Sequence, residues 1–456
     1  MPDTIAAIAT GGGVSAVGIV RLSGEDAISA AGRIFRSKSG IKMEDAADRQ
    51  LIYGELLDSD GRTLDLCLCT VSRAKHSYTG ENTAEFHCHG SPVVLSAALK
   101  ALFALGVRQA RAGEFTQRAF LNGKLDLAEA EAVIDLIEAE TAAAARNAAG
   151  QLNGAVSRIA EKVSSALTDI MAHFFAVIDY PDDDIADFEL QNHAAVMADA
   201  EKQLDRLLET YQRGQLLKDG VKTAILGRPN AGKSSLLNAL LGYERAIVTA
   251  IAGTTRDTLE EKIRLGDTVL RLVDTAGIRE TADAVELLGI ERSRAAAAAA
   301  VLSLAVFDGN ERLTADDRKV ISLAASAQVR IAVVNKTDLP PVIETDELRK
   351  SFEHVVFVSS LTGEGIEALA DKIASLVGNN DIAPDGEILT NLRQADAIER
   401  ARAGIRNAKA AMTAGITPDA VLTEIEAALH ALGEITGKTV REDIVSRIFE
   451  RFCVGK

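Results

Sequence analysis

The chain has 456 residues, which at roughly 150 residues per domain gives about three domains. Hydrophobic residues make up 47% and charged residues 25%, an ordinary globular composition. The 66 acidic residues outnumber the 50 basic ones, for a formal charge of −16. That balance excludes a surface that binds nucleic acid all over, because phosphate binding rests on clustered Lys and Arg; a local basic patch is still allowed. The 4 cysteines, Cys67, Cys69, Cys88 and Cys453, are too few for a disulfide scaffold. No signal-peptide pattern and no run of about 18 uncharged apolar residues stands out. The expectation is a cytoplasmic, multidomain protein with no membrane span.

In chain order, Ile5–Ala9, Val17–Leu22, Leu51–Leu57 and Leu64–Val71 read as strands and Pro92–Leu105 as a helix, an α+β pattern running to about residue 118. From Lys124 to about Leu217 the chain reads as helical. Val156, Ile159, Val163, Leu167, Ile170 and Phe174 form one apolar stripe at helical spacing. Tyr180-Pro-Asp-Asp-Asp-Ile interrupts it, because proline cannot continue a helix. From Val221 to about Val377 apolar strands alternate with amphipathic helices, the rhythm of a mostly parallel sheet. Leu259–Leu265, Gly266-Asp267 and Thr268–Val273 read instead as an antiparallel hairpin. Gly378–Pro384 reads as a linker, and Leu389 to Phe452 is helical again. Helix, then α/β, then helix suggests an α/β unit inserted into a helical domain. The six-alanine run Ala295–Ala300 reads as a plain helical end.

Gly227-Arg-Pro-Asn-Ala-Gly-Lys-Ser234 fits GxxxxGK[ST] between a strand and a helix. Its glycines let backbone N–H groups curl toward phosphate, and the helix N-terminus adds its positive dipole end. Lys233 is expected on the β- and γ-phosphates and Ser234 on Mg²⁺. Gly11–Ala16 also fits a dinucleotide pattern, GxGxxA, but continues as a strand where a helix would be required. It reads as a turn.

Asp274-Thr-Ala-Gly277 follows the hairpin; its Asp would hold Mg²⁺ through water and Gly277 would donate to the γ-phosphate, the logic of a switch loop. Thr255, in Gly253–Asp257, is the Mg²⁺-binding threonine expected when triphosphate is present. Asn335-Lys-Thr-Asp338 decides the base: the Asp338 carboxylate accepts from guanine N1–H and N2–H₂, a donor pair that adenine lacks. Asn335 is expected on the purine edge, the Lys336 stem over the ring, and Ser359–Leu361 near O6 through backbone. These elements, in this order at strand ends, resemble a translation-factor-type GTPase domain. Ile278 stands where many GTPases place a water-orienting Gln, so hydrolysis needs another group. Glu286, Arg256 and Arg279 lie near enough in sequence to be considered.

The whole chain resembles the MnmE (TrmE) family of tRNA-modification GTPases, through Tyr78–Glu81, Gly113–Asn122, Lys124–Glu131, Gly227–Ser234, Ala252–Asp257 and the terminal Phe452-Cys-Val-Gly-Lys456. The resemblance implies a multidomain fold: an α+β N-terminal domain at 1–119 that binds folate and dimerises, a discontinuous helical domain at 120–217 and 381–456, and an inserted α/β P-loop GTPase domain at 218–380. It implies GTP contacts at Asn230, Ala231, Gly232, Lys233, Ser234, Ser235, Thr249, Thr254, Thr255, Asp274, Gly277, Asn335, Lys336, Asp338 and Ser359. Mg²⁺ falls to Ser234 and Thr255. K⁺ falls to the Asn230 side chain and the carbonyls of Thr249, Ile251 and Thr254, with hydrolysis when two G domains meet. Glu286 matches the water-positioning glutamate.

The resemblance further implies a 5-formyl-tetrahydrofolate-type cofactor at Arg21, Glu85, Lys124 and Lys456, which on their own read as ordinary surface charges. The family's first loop usually carries Pro and Arg before its glycines, whereas here it reads Thr10-Gly-Gly-Gly-Val-Ser-Ala. Cys453 is either a reactive thiol or a small buried hydrophobe. His87 and His89 share one strand face, but nothing nearby completes a zinc site, and no metal is expected there. Arg108, Arg111, Arg118 and Lys124 form a basic stretch read as a solvated face rather than a tRNA contact. The implied activity is modification of C5 of the wobble uridine of tRNA, by a homodimer working with an FAD-dependent MnmG-type partner. The competing reading is a GTP-switch assembly factor, for instance for ribosomes.

Overall fold

A computed structural model describes residues 3–179, 187–243, 261–273, 294–295, 297–377 and 386–456. The chain divides into two compact units: Met1–Ile134 with Ala149–Leu208 and Leu392–Lys456, and Asp135–Ala148 with Glu209–Asn391.

The first unit opens with a seven-stranded sheet made of β1 (Ile5–Ile8), β2 (Ser15–Ser23), β3 (Phe35–Ser37), β4 (Ile52–Leu57), β5 (Thr63–Ser72), β6 (Thr83–Gly90) and β7 (Arg108–Gln109). Their order is β3-β4-β5-β6-β2-β1-β7. All neighbours are antiparallel except β1 and β7. Helices α1 (Ala27–Ile34) and α2 (Pro92–Ala104) pack with one sheet face into a core that includes Leu22, Phe86, Leu95 and Leu102. The other face keeps apolar side chains in solvent: Val17, Tyr53 and Leu66 are 53%, 51% and 45% exposed. All four expected strands are present. Sequence reading missed α1 because its buried stripe is built mostly of alanine, Ala27, Ala30 and Ala31 with Ile34. β3 and β7 are too short to show alternation.

Helices follow as α3 (Glu114–Leu121), α4 (Leu127–Glu138), α5 (Ala142–Leu152), α6 (Ala155–Asp179) and α7 (Asp187–Asp219). In α6 the expected stripe is buried at Val156, Val163, Leu167, Ile170 and Phe174 and half-buried at Ile159. The interruption at 180–185 and the linker at 378–384 lie outside the described residues.

The second unit holds a six-stranded sheet of β8 (Val221–Leu226), β9 (Lys262–Leu265), β10 (Thr268–Leu272), β11 (Leu302–Asp308), β12 (Val329–Asn335) and β13 (His354–Phe357), ordered β13-β12-β11-β8-β10-β9. It is parallel apart from the β9–β10 hairpin, which turns through Gly266-Asp267. Helices α8 (Lys233–Tyr243), α9 (Ala315–Ala324), α10 (Asp346–Ser351) and α11 (Ile366–Val377) accompany it. Leu304 and Val306 enter one core and Ala305 and Phe307 the other. Burial on both faces is why these strands read as unbroken apolar runs. The two ends of the long segment of this unit meet, with Leu389 N donating to Thr210 Oγ1 at 3.0 Å.

The chain then re-enters the first unit as α12 (Leu392–Thr413), α13 (Pro418–Thr436) and α14 (Glu442–Phe449). Glu131, buried on α4, accepts from Arg393 at 2.8 Å and Gln394 at 2.8 Å, partners 262 and 263 residues away. The last residues lie along the N-terminal sheet: Val454 bridges Ala112, and Phe115 N donates to the Lys456 carbonyl at 3.2 Å. Gly455 has φ +100, and a Cβ there would sit 2.2 Å from Ile8 O. Both the backbone region and the contact exclude a side chain. Gly455→Ala is therefore expected to lift the tail, and carboxypeptidase should then shorten the variant much faster than the native chain.

Candidate functional site

The carboxyl edge of the second sheet is where an open α/β sheet binds its ligands. β8 ends at Leu226 and α8 begins at Lys233, so residues 227–232 form the connecting loop. Asn230 is exposed at its tip in the left-handed region, φ 65. Gly232 has φ +95, and a Cβ there would come 2.1 Å from Asn335 Nδ2. Lys233 folds back over the loop, donating to the carbonyls of Gly227 at 2.8 Å and Arg228 at 2.9 Å. Burial lowers its pKa. Ala231 is buried, while Ser234 and Ser235 are exposed in the first turn of α8, beside its N-terminal dipole.

Asn335, at the end of β12, is 1% exposed. Its Nδ2 donates to Ala231 O at 3.2 Å, and its Oδ1 accepts from Lys336 N at 2.9 Å, Ser360 N at 3.0 Å and Ser360 Oγ at 2.9 Å. The amide thus braces the phosphate loop against the 359–361 loop at the position expected for the purine edge. Within the 359–361 loop the Ser360 N–H is taken up by Asn335. Asp338 is exposed, and the fully buried Ser359 orients it by donating to Oδ1 at 2.6 Å. Lys336, φ 66, pairs with Asp308 at 2.6 Å. Burial pushes the Asp308 carboxyl up, but the bonds from Lys336 and Asn310 N outweigh it and the net shift is downward. Arg228 lies 4.0 Å from Asp308 and 3.4 Å from Asp317 and pairs with Glu311. Sequence reading missed these acidic anchors; the position of Asp308 at a strand end was the available signal. Thr249, Ile251, Thr254, Thr255, Arg256, Asp274, Gly277, Arg279 and Glu286 lie outside the described residues.

A second site lies in the first unit, a pocket of 310 Å³ lined by Arg21, Arg49, His76, Tyr78, Glu85 and His87, among others. Arg21 and Glu85 face each other across β2 and β6 and pair at 2.7 Å. The Arg21 guanidinium lies 5.8 Å from the ring centres of both Tyr78 and Phe115, within cation–π range. A hydrogen bond with His87 and the charge of Arg21 overcome burial and lower the Glu85 pKa to about 2. Lys124 donates to the carbonyl of Lys75, next to the lining residue His76, at 2.9 Å. Lys456 joins the backbone of Phe115. Arg21 and Glu85 are thus a half-buried pair in a cavity, not ordinary surface charges.

Cys453 is exposed, against the alternative of a buried hydrophobe; Cys67, Cys69 and Cys88 are buried free thiols. His87 contacts Glu85 at 3.2 Å, and His89 contacts Asp65 at 2.8 Å. The basic stretch is not a solvated face at Arg118, which pairs with Glu81 at 2.8 Å and Asp3 at 2.9 Å. Arg108 meets Glu114 at 2.5 Å. Gly11, Gly12 and Gly13 have open space where a Cβ would go.

Asp338→Asn is expected to move nucleotide preference from GTP toward xanthosine triphosphate, read by competitive binding. Ser359→Ala should weaken GTP by about tenfold, since it removes a donor to a charged acceptor, without changing that preference. Unchanged GTP affinity in Asp338→Asn would remove the base-reading role from Asp338.

Two family profiles match the chain: "GTP-binding protein TrmE N-terminus" over residues 4–124 and "MnmE helical domain" over residues 127–453. Among curated relatives, the tRNA modification GTPase MnmE of Symbiobacterium thermophilum is 42% identical, covering 100% of this chain and 99% of the relative. The protein of the same name from Roseiflexus sp. is 43% identical at 100% and 99% coverage. That of Alkaliphilus metalliredigens is 40% identical at 100% of both. With a phosphate loop and a guanine-type motif at one sheet edge, and with relatives matched from end to end, this chain belongs to the MnmE family of tRNA modification GTPases.

Proposed function

We propose that this GTPase uses GTP hydrolysis to drive modification of C5 of the wobble uridine of tRNA, attaching an aminomethyl-type group whose carbon comes from a reduced folate. The observation that carries this reading is the coexistence, in one chain, of the nucleotide edge around Lys233, Asn335 and Asp338 and the Arg21–Glu85 pocket. In this reading the chain is organised as 1–119, 120–217, 218–380 and 381–456. A formyl-tetrahydrofolate-type cofactor occupies the N-terminal pocket, held by Arg21, Glu85, Lys124 and Lys456. The exposed Cys453 is a thiol available to the modification chemistry.

Ser234 and Thr255 hold Mg²⁺ in this scheme. Asn230, with the carbonyls of Thr249, Ile251 and Thr254, holds K⁺, and the exposure of Asn230 at the loop tip supports its part. A cation there supplies positive charge where charge develops on the phosphates. Glu286 positions water in place of the missing Gln. The uncovered apolar sheet face, with Val17, Tyr53 and Leu66, supports a homodimer through the N-terminal domain. An FAD-dependent MnmG-type flavoprotein is the expected partner. With so acidic a chain, that partner is a natural source of most tRNA contact. The setting is cytoplasmic; among the described residues no helix is long and apolar enough to cross a membrane.

Nucleoside analysis of tRNA from cells lacking this chain tests the reading. Loss of the C5 modification at the wobble uridine is expected, and unchanged wobble uridines would refute it. Hydrolysis is expected to be much faster in K⁺ than in Na⁺ and to collapse in Glu286→Ala. Equal rates in the two salts would remove the K⁺ site, and an active Glu286→Ala would remove the glutamate's role.

A further inference from the structure

The N-terminal pocket contains a second guanidinium with no counterpart in the sequence motifs. Arg49 precedes β4, and its backbone N–H donates to Val71 O on β5 at 2.8 Å. It occupies the left-handed region, φ 63, a conformation that glycine adopts freely and longer residues rarely adopt. Its Nη2 donates to the carbonyl of His76 at 2.6 Å. Among the described residues Arg49 forms no ion pair, because the neighbouring carboxylate is already taken: Asp48 binds Arg73 at 2.6 Å and His76 at 2.9 Å. Arg21, by contrast, is neutralised by Glu85 at 2.7 Å. Two guanidiniums and one carboxylate therefore line the cavity, leaving it one positive charge in excess before its histidines are counted.

A guanidinium carries five N–H donors in a planar fork that matches a carboxylate. One donor of Arg49 fixes its orientation on the His76 carbonyl. Thr70 and Ser72 belong to the same lining. Strained backbone held in place by its surroundings, beside a cavity, is a recurrent mark of a ligand clamp.

We propose that Arg49 is a carboxylate-binding residue of this pocket: its fork receives a carboxylate of the ligand's glutamyl tail, while the Arg21–Glu85 pair meets the hydrogen-bonding edge of the ligand's bicyclic ring. This rests on the reading of the pocket as the folate site and adds the residue that selects the acidic tail.

The test is equilibrium titration of the full chain with two probes, 5-formyl-tetrahydrofolate and 5-formyl-tetrahydropteroate, which lacks the glutamate. The native protein should bind the first about tenfold or more tightly than the second. Arg49→Gly should erase that preference by weakening only the glutamate-bearing probe, and Arg49→Lys, a charge without the fork, should recover part of it. Glycine accepts φ 63 without strain, so Arg49→Gly should keep or raise the thermal midpoint. Equal weakening of both probes in Arg49→Gly would show a merely structural role and overturn the proposal, as would an unchanged preference for the glutamate. If neither probe binds the native protein, the folate reading itself fails. If the native protein binds both but Arg49→Gly keeps the preference, only the role of Arg49 fails.

Discussion

Three loops of the GTPase unit leave three different strands, and one carboxamide holds them together. Asn335 donates to the phosphate loop at Ala231 O and accepts from Ser360, beyond β13, and from the backbone of Lys336. A buried amide satisfied at both ends fixes its neighbours in a way that an apolar contact cannot, because each unmade bond would cost the desolvation of that group. Other features follow from this brace. Gly232 must lack a side chain because the amide occupies the space. Lys336 takes a left-handed backbone immediately after it and reaches Asp308. Arg228 is pulled toward the same acidic group, and its carbonyl in turn receives Lys233. The phosphate-loop motif and the Asp338 motif thereby share one framework.

The N-terminal domain uses charge in a similar way. Arg118 is largely buried yet paired with Asp3, Glu81 and Glu114. Glu114 is driven upward by burial and more strongly downward by Arg108, Arg111 and Arg118, to about 2. Its charge is therefore kept throughout the neutral and mildly acidic range. Its contribution to stability is complete above the unfolded value of 4.5 and is lost only as pH falls toward 2. This network lies at the start of α3, where the C-terminal tail also docks through Phe115.

Much of this architecture was legible in the sequence, and the exceptions have physical reasons. The parallel sheet could be read because its strands are buried on both faces and so carry unbroken apolar runs. Helix α1 could not, because alanine carries little hydrophobic signal. The GxxxxGK[ST] loop and the Asp338 motif could be placed because their chemistry demands fixed residues at fixed spacing. The contacts of Asn335 to Ala231 and Ser360 could not, since an amide serves a base edge or a carbonyl equally well. Arg49 left no sequence mark at all: a positive φ in an Arg residue and an unneutralised guanidinium are properties of the folded backbone and its neighbours.

The bond between Leu389 N and Thr210 Oγ1 bears on how such a chain acquires its fold. Glu131 must find Arg393 across 262 residues. For a flexible chain, closing so long a loop costs entropy and slows the search. A segment that has already folded with its own ends tied together behaves as a short connector instead. The G unit can thus serve as a prefabricated staple. Tied ends at Thr210 and Leu389 shorten the path by which α4 and α12, joined through Glu131 and Arg393, have to meet.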